Sequence, residues 1–406
     1  MFASGDWVNS ERVRFVSSLI IAIGLAALAV AFATRSGNLD ALGRPLGTDF
    51  ASFWTAGALV LDGRAAAPYD WSIHQAFQNA YFLQPLDADF YCWQYPPFFL
   101  ALAAGLAALP YLGALLVWLG ATLAAYLAVM ARLLDARRDA LVVAIGFPAV
   151  WLNIGHGQNA FLTAALFAGG LILLRQRPIL AGILIGLLAY KPQFGLLIPL
   201  AFIAGGHWRA FAAAGVTVAA MVLATSALFG MDVWSAFLAS TGATRRVLLE
   251  QGGVGFHKIQ SVFAAARALG LGVALAYLAQ VLASLAVVIT TIRLWRSSVD
   301  FDLKAAALLA GTLLATPFSL DYDLVLIAPA AAFLWRQMAR TGALPFERSL
   351  LAVIFIAPLV ARSVGALLPL PLGLFALVAL FALVSRRAFA APRPVAATAP
   401  AEAVPA

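Results

Sequence analysis

Cysteine is nearly missing from this chain: Cys92 stands alone among 406 residues. That excludes an intramolecular disulfide and any cysteine-based metal cluster. Charge is scarce too. Asp, Glu, Lys and Arg together make 11% of the residues, against about 25% in a soluble domain. Basic residues outnumber acidic ones, 26 to 18, yet the excess does not point to nucleic acid. No Lys/Arg-rich run with interleaved aromatics occurs. The basic residues stand singly or in pairs at the ends of apolar segments, the pattern of helix ends on the cytoplasmic side of a membrane. Only four histidines are present, and their spacing does not supply the three or four ligands that zinc needs.

What the chain has in abundance is apolar sequence. Hydrophobic residues reach 63% and the mean hydropathy is +0.93, more apolar surface than a soluble core can hide. The apolar stretches are continuous rather than alternating, which predicts membrane helices and not an outer-membrane barrel. They lie at 13–34, 97–134, 139–153, 156–175, 178–190, 192–205, 207–230, 272–295, 303–316, 322–337, 347–364 and 371–386. The first is longer than a signal-peptide core of about 7–15 residues and reads as a transmembrane helix. Pro110 breaks the second, which counts as one crossing with a kinked or re-entrant first part. About twelve crossings with the N-terminus inside then put most basic residues on the inner face. The expected fold is an all-α polytopic domain over 1–390. It has a first outer loop at 35–96, a second at 231–271, and an Ala/Pro-rich, disordered cytoplasmic tail at 391–406. Phe50–Leu61 and 71–83 read as amphipathic helices at the membrane surface. The glycines of Gly252-Gly253-Val254-Gly255 suggest a mobile, lid-like turn.

The same topology gathers the polar clusters on the outer face. Asp49, in Gly47-Thr48-Asp49-Phe50, is a carboxylate at the mouth of a membrane bundle. Such a group is costly and a functional candidate by default, although Asp is also a favoured N-cap for a helix starting at Phe50. Tyr95, in Tyr91-Cys92-Trp93-Gln94-Tyr95-Pro96-Pro97, is either an interfacial aromatic or a platform for a sugar or lipid headgroup. Gln158 and Asn159, in Gly155-His156-Gly157-Gln158-Asn159, offer amide donors and acceptors. Lys191-Pro192-Gln193 interrupts an apolar run. An ammonium there needs an anion, for which a phosphate is the natural partner, or must snorkel to the interface. Arg245 and Arg246 lie in the second outer loop. On a helix, His257, Gln260 and Ser261 would share a face. Asp321 and Asp323 enter a helix N-terminus, whose dipole they can satisfy. Asp87 and Asp89 have the look of an acidic metal pair, but no third ligand is evident. No metal and no cofactor are expected.

In order along residues 45–325, several pieces resemble the polyprenyl-phosphate-mannose-dependent mannosyltransferases of glycosyltransferase family 87, within the GT-C class. They are Gly47-Thr48-Asp49-Phe50 with Trp54, Leu61-Asp62-Gly63 through Pro68-Tyr69-Asp70, Tyr95-Pro96-Pro97, Gly157-Gln158-Asn159, Ala181-Gly182 through Lys191-Pro192, Gln260-Ser261, and Thr316-Pro317-Phe318-Ser319. The resemblance implies a GT-C fold, with Asp49 as catalytic base and Lys191 and His257 as further site residues. It departs from the family pattern at Asp321, where His or an aromatic is commoner. The implied activity is transfer of a hexose, mannose first, from a polyprenyl-phosphate-sugar donor to a lipid or glycan acceptor. The reaction would take place on the outer face of a bacterial inner membrane. Lys191, Arg245 and Arg246 would meet the donor phosphate. Tyr95, Gln158, Asn159, Gln193, His257, Gln260, Ser261 and Asp321 would bind substrate. The partners are then that donor, its acceptor and membrane lipids. The rival reading is a secondary transporter or lipid flippase. Its coupling residues usually sit mid-membrane on broken helices, whereas Asp49 sits in a loop.

Overall fold

In the computed structural model, which describes residues 1–82 and 90–390, every regular element among those residues is helical. The expected tail at 391–406 and the Asp87/Asp89 pair lie outside the described residues. Helix α1 (Ser10–Ala33) starts where Asn9 Oδ1 accepts from the Arg12 amide at 2.8 Å. Five further helices match α1 in being long and apolar enough to cross a membrane: α5 (Tyr111–Leu133), α11 (Trp208–Phe229), α14 (Val273–Arg296), α17 (Glu347–Leu367) and α18 (Leu372–Phe389). A seventh span forms if α6 (Arg138–Gly146) and α7 (Pro148–His156) count together; they meet at 55°, where Pro148 opens the second helix. Against the twelve expected crossings, six helices among the described residues have full length, or seven with the bent pair.

The remaining apolar helices are shorter, and two of them are buried on nearly every side. Twelve of the fourteen residues of α15 (Phe301–Leu314) are buried, as are ten of fourteen in α8 (Ala160–Leu173). A helix apolar on all sides belongs in the middle of an assembly, and α15 packs against α14, α18 and α16 (Ile327–Thr341). By contrast α11 and α14 turn Val216, Leu223, Leu278 and Leu282 outward, as lipid-facing helices do. Ion pairs brace the end of the bundle where α15 starts: Arg336 and Arg340 reach Asp302 at 3.5 and 2.8 Å, and Arg387 pairs with Glu347.

The stretch expected as the first outer loop departs from expectation. Helix α2 (Phe50–Leu61) does not lie at a surface, since nine of its twelve residues are buried. Phe50 and Phe53 interlock edge-on with Trp93, Tyr95, Phe99, Tyr111 and Trp118. Gly57 lets α2 pack directly on the backbone of α4 (Phe98–Ala107), where any Cβ would strike the Ala103 carbonyl. The aromatic residues that suggested an interfacial belt are thus the core of a helical cap. Helix α3 (Trp71–Phe82) is amphipathic as expected, with His74, Gln78 and Phe82 buried four residues apart. Of the 97–134 stretch, only α5 has the length to cross.

The stretch expected as the second outer loop is also structured. It contains α12 (Asp232–Thr244), a π-helical turn at Arg245–Glu250, a short 3-10 turn at Phe256–Lys258 and α13 (Val262–Ala268). His257, Gln260 and Ser261 consequently share no helix face. His257 sits in the 3-10 turn, Ile259 is extended and pairs with Leu320, and Ser261 caps α13.

Candidate functional site

Asp49 occupies the residue before α2, but it is not a cap. Its backbone is already helical and its side chain makes no capping bond. The carboxylate turns instead to the junction between α7 and α8. Gly157 ends α7 in the left-handed conformation, at φ 61°, and a Cβ there would press within 2.6 Å of the Phe50 Cβ. Only glycine meets both demands at little cost. The turn sets His156 and Gln158 on either side, and both reach Asp49. Gln158 Nε2 donates to Oδ2 at 3.0 Å, and His156 Nδ1 lies 3.5 Å from Oδ1. The same His156 nitrogen is 2.9 Å from Thr48 Oγ1. Burial alone would raise the Asp49 pKa. The neighbouring His156, its hydrogen bond and that of Gln158, and the Lys258 charge outweigh it and hold the carboxyl below its ordinary value. The Asp49 side chain keeps 28% of its surface open.

From Asp49 a hydrogen-bonded chain runs to Tyr95, whose hydroxyl donates to Gln158 Oε1 at 3.1 Å. Tyr95 forms part of the wall of a cavity of about 350 Å³, within the usual size of small-molecule sites. Lys191, Gln193 and Tyr190 line it from the break after α9 (Pro178–Leu187). Ser240, Thr241, Thr244 and Arg245 line it from the second outer loop, and Pro317, Tyr322 and Asp323 from the turn after α15. Asp49, Gln158 and Asn159 stand behind Tyr95 rather than in the wall.

Lys191 corrects the expectation of an ammonium waiting for an anion. It forms a tight ion pair with Asp323, and both side chains are 3% exposed. It does not snorkel. Asp323 also accepts from the Leu320 amide at 3.1 Å, so it both caps the following turn and neutralises the lysine. Tyr322 lies between the two halves of the site. The Lys191 ammonium is 5.3 Å from the centre of its ring, and the His156 ring is 6.1 Å from it on centroids.

Asp321, 1% exposed, is paired with Arg362 at 2.7 Å. Arg362 in turn places Nη2 2.7 Å from His156 Nε2. Sequence reading passed over Arg362 as part of an apolar helix. A signal existed: an arginine amid the apolar residues of α17 is expensive and needs a partner. The direct partnership of His156 with Asp49 and of Asp323 with Lys191 was likewise not read from the sequence.

The other expected residues divide. Arg245 lines the cavity and pairs with Glu250 at 3.2 Å, while Arg246 beside it is exposed. Asn159 is buried next to Gln158. Ser261 spends its hydroxyl on the α13 cap, accepting from the Ala264 amide at 3.1 Å. Gln260 donates from Nε2 to the His257 carbonyl at 2.9 Å and from its backbone N–H to Ser319 O at 2.6 Å. His257 is half-buried. Burial first, then the Lys258 and Arg362 charges, lower its pKa against an opposing pull from Asp321. Among the described residues no group of three or more His, Cys, Asp or Glu side chains converges as metal ligands would.

Compared with known families, the chain matches the model of glycosyltransferase family 87 over residues 93–317, more than half of its length. The match takes in Tyr95, Gln158, Lys191, Arg245 and Gln260, and leaves Asp49, Asp321 and Arg362 outside. No curated protein and no solved structure matches the chain.

Proposed function

The chain belongs to glycosyltransferase family 87 and is a membrane glycosyltransferase; we propose that it transfers a hexose, mannose first, from a polyprenyl-phosphate-linked donor to a hydroxyl of a lipid or glycan acceptor. The observation that carries this reading is the hydrogen-bonded route from Asp49 through Gln158 to Tyr95. It joins a water-accessible carboxylate, free of any capping duty, to a cavity holding Lys191 and Arg245.

In this reading Asp49 is the general base. The acceptor oxygen attacks the anomeric carbon, its proton passes to Asp49, and the bond from that carbon to the phosphate oxygen breaks. The electron pair leaves with the lipid phosphate. General-base assistance is worth about 10²–10⁴-fold. A carboxylate held below its ordinary pKa is fully ionised at neutral pH and ready to accept. Lys191 and Arg245, with Arg246 at the outer rim, take up the charge on the departing phosphate in place of a divalent ion. Both cavity cations already carry a carboxylate partner, Asp323 and Glu250. The incoming phosphate therefore shares or displaces those partners, and the site is nearly neutral when empty. Tyr95 and Gln193 contribute polar lining for sugar and acceptor, and Gln158, Asn159, His257 and Gln260 are the further polar residues assigned to substrate.

The topology proposed with it counts the shorter apolar helices as crossings, for about twelve in a GT-C arrangement. It sets the site on the outer face of a bacterial inner membrane. Incubation of the purified protein with radiolabelled polyprenyl-phosphate-mannose and candidate lipid acceptors tests the reading. Label should move to one acceptor class. Hydrolysis or transfer with no such donor, while another lipid-linked sugar is used, would replace mannose.

A further inference from the structure

We propose that Arg362 is a positioning residue that fixes the His156 ring in its neutral, Nδ1-protonated form and so orients Asp49. The catalytic part of this rests on the reading of Asp49 as the base. A guanidinium is a donor only; it has no lone pair to offer. With Arg362 Nη2 2.7 Å from His156 Nε2, that ring nitrogen must be the acceptor, and the ring proton belongs on Nδ1. Nδ1 then faces Thr48 Oγ1 at 2.9 Å and Asp49 Oδ1 at 3.5 Å, the two oxygens that flank the start of α2. A doubly protonated imidazolium would set N–H against N–H and one positive charge against another. The contact therefore requires a neutral ring.

Arg362 is itself fixed from behind. Its Nε and Nη2 both reach Asp321 Oδ2, at 2.8 and 2.7 Å. That carboxylate is 1% exposed, while the Arg362 side chain keeps 31% of its surface open, so the pair is buried from the carboxylate side and the buried charge has its partner. The relay runs from Asp321 to Arg362 to His156 and ends on Asp49. It joins the turn after α15, helix α17, the end of α7 and the start of α2. Its chemical consequence is specific. A neutral His156 steadies the carboxylate with an N–H but adds no full positive charge, leaving Asp49 a better proton acceptor than an imidazolium would. Asp321 and Arg362 lie beyond the segment that carries the family match, His156 within it and Asp49 before it.

The test uses full-length protein in lipid nanodiscs, with histidine labelled in ¹⁵N and His156 assigned by difference against His156→Asn. Wild type should show His156 as the Nδ1–H tautomer. Arg362→Lys, also a donor only, should retain that form. Arg362→Leu should lose it, with kcat falling about 10- to 100-fold, as is usual for groups that orient a reacting residue, while the donor KM stays within about twofold. An Nε2–H or doubly protonated His156 in wild type would overturn the proposal whatever the activity. So would a folded Arg362→Leu with wild-type kcat. If Arg362→Leu fails to fold, the spectra of wild type and Arg362→Lys decide. Wild-type turnover in Asp49→Asn would instead remove the base assignment and the catalytic half of the proposal, while the tautomer would still be read from the spectrum.

Discussion

Replacing Lys191 with methionine removes one charge from a pair in which both side chains are 3% exposed, leaving the Asp323 carboxylate buried with only the Leu320 amide to bond. Breaking a buried pair from one side costs about 3–5 kcal/mol. The surviving amide bond argues for the lower end, about 3 kcal/mol. At about 1.4 kcal/mol per factor of ten, that is roughly a hundredfold in the ratio of folded to unfolded protein. Asp323→Asn should cost a similar amount by stranding the ammonium, although the asparagine oxygen can still accept from Leu320. The double variant Lys191→Met/Asp323→Asn removes both charges and should recover most of the loss, since uncharged replacements of a buried pair are often neutral. With about 3 kcal/mol lost in each single variant and little in the double, the expected coupling is about 5–6 kcal/mol, above the roughly 0.5–3 kcal/mol usual for residues in contact. Denaturant titration in mixed micelles, followed by the fluorescence of the ten tryptophans, measures all four corners of the cycle. A loss under about 1 kcal/mol for Lys191→Met would refute the argument, because the carboxylate would then have found water or another partner. The double variant also separates stability from chemistry. If Lys191 stabilises the leaving phosphate, the restored protein should still be about 10²–10³-fold slow, the usual worth of one such donor. Wild-type turnover there would leave Lys191 a purely structural residue.

Asp49→Asn keeps the size of the side chain and an acceptor for Gln158 but cannot take a proton, so turnover should fall by about two to four orders of magnitude with donor affinity little changed. Turnover within about threefold of wild type, in folded protein, would leave the base assignment unsupported. The lowered Asp49 pKa fixes the sign of a pH effect. Its contribution to stability is full above the unfolded value of about 3.9 and is lost as pH falls through the lower folded value. The stability gap between wild type and Asp49→Asn should therefore stay constant from about pH 7 to about pH 5; a gap that closes within that window would contradict the shift. Since Lys191 and Arg245 are given the phosphate charge, transfer should survive EDTA. Complete loss restored by Mg²⁺ or Mn²⁺ would point back to Asp87 and Asp89 as ligands.

Hydropathy alone settled that this is a membrane protein of many helices, because no other arrangement buries so apolar a chain. The ordered short motifs pointed to the family, and the family model later matched it. Polar residues retained among apolar segments marked Asp49, Lys191, Gln158 and Tyr95, since such residues are rarely kept there without partners. Their partnerships were beyond sequence reading. Lys191 meets Asp323 across 132 residues and His156 meets Arg362 across 206, and neither hydropathy nor helical spacing carries information over such separations. The same limit explains α2. An aromatic, apolar twelve-residue run suits the membrane surface or a buried core equally well, and only packing against α4 and α5 decided for the core. Helix length met a related limit. A short apolar run reads alike as a thin crossing or as an interior helix, and the difference for α8 and α15 lies in what surrounds them. Composition and local pattern determined the solvent, the class and the residues worth watching. The tertiary structure alone decided which charge neutralises which, because pairing in a low-dielectric interior is a contact between distant segments.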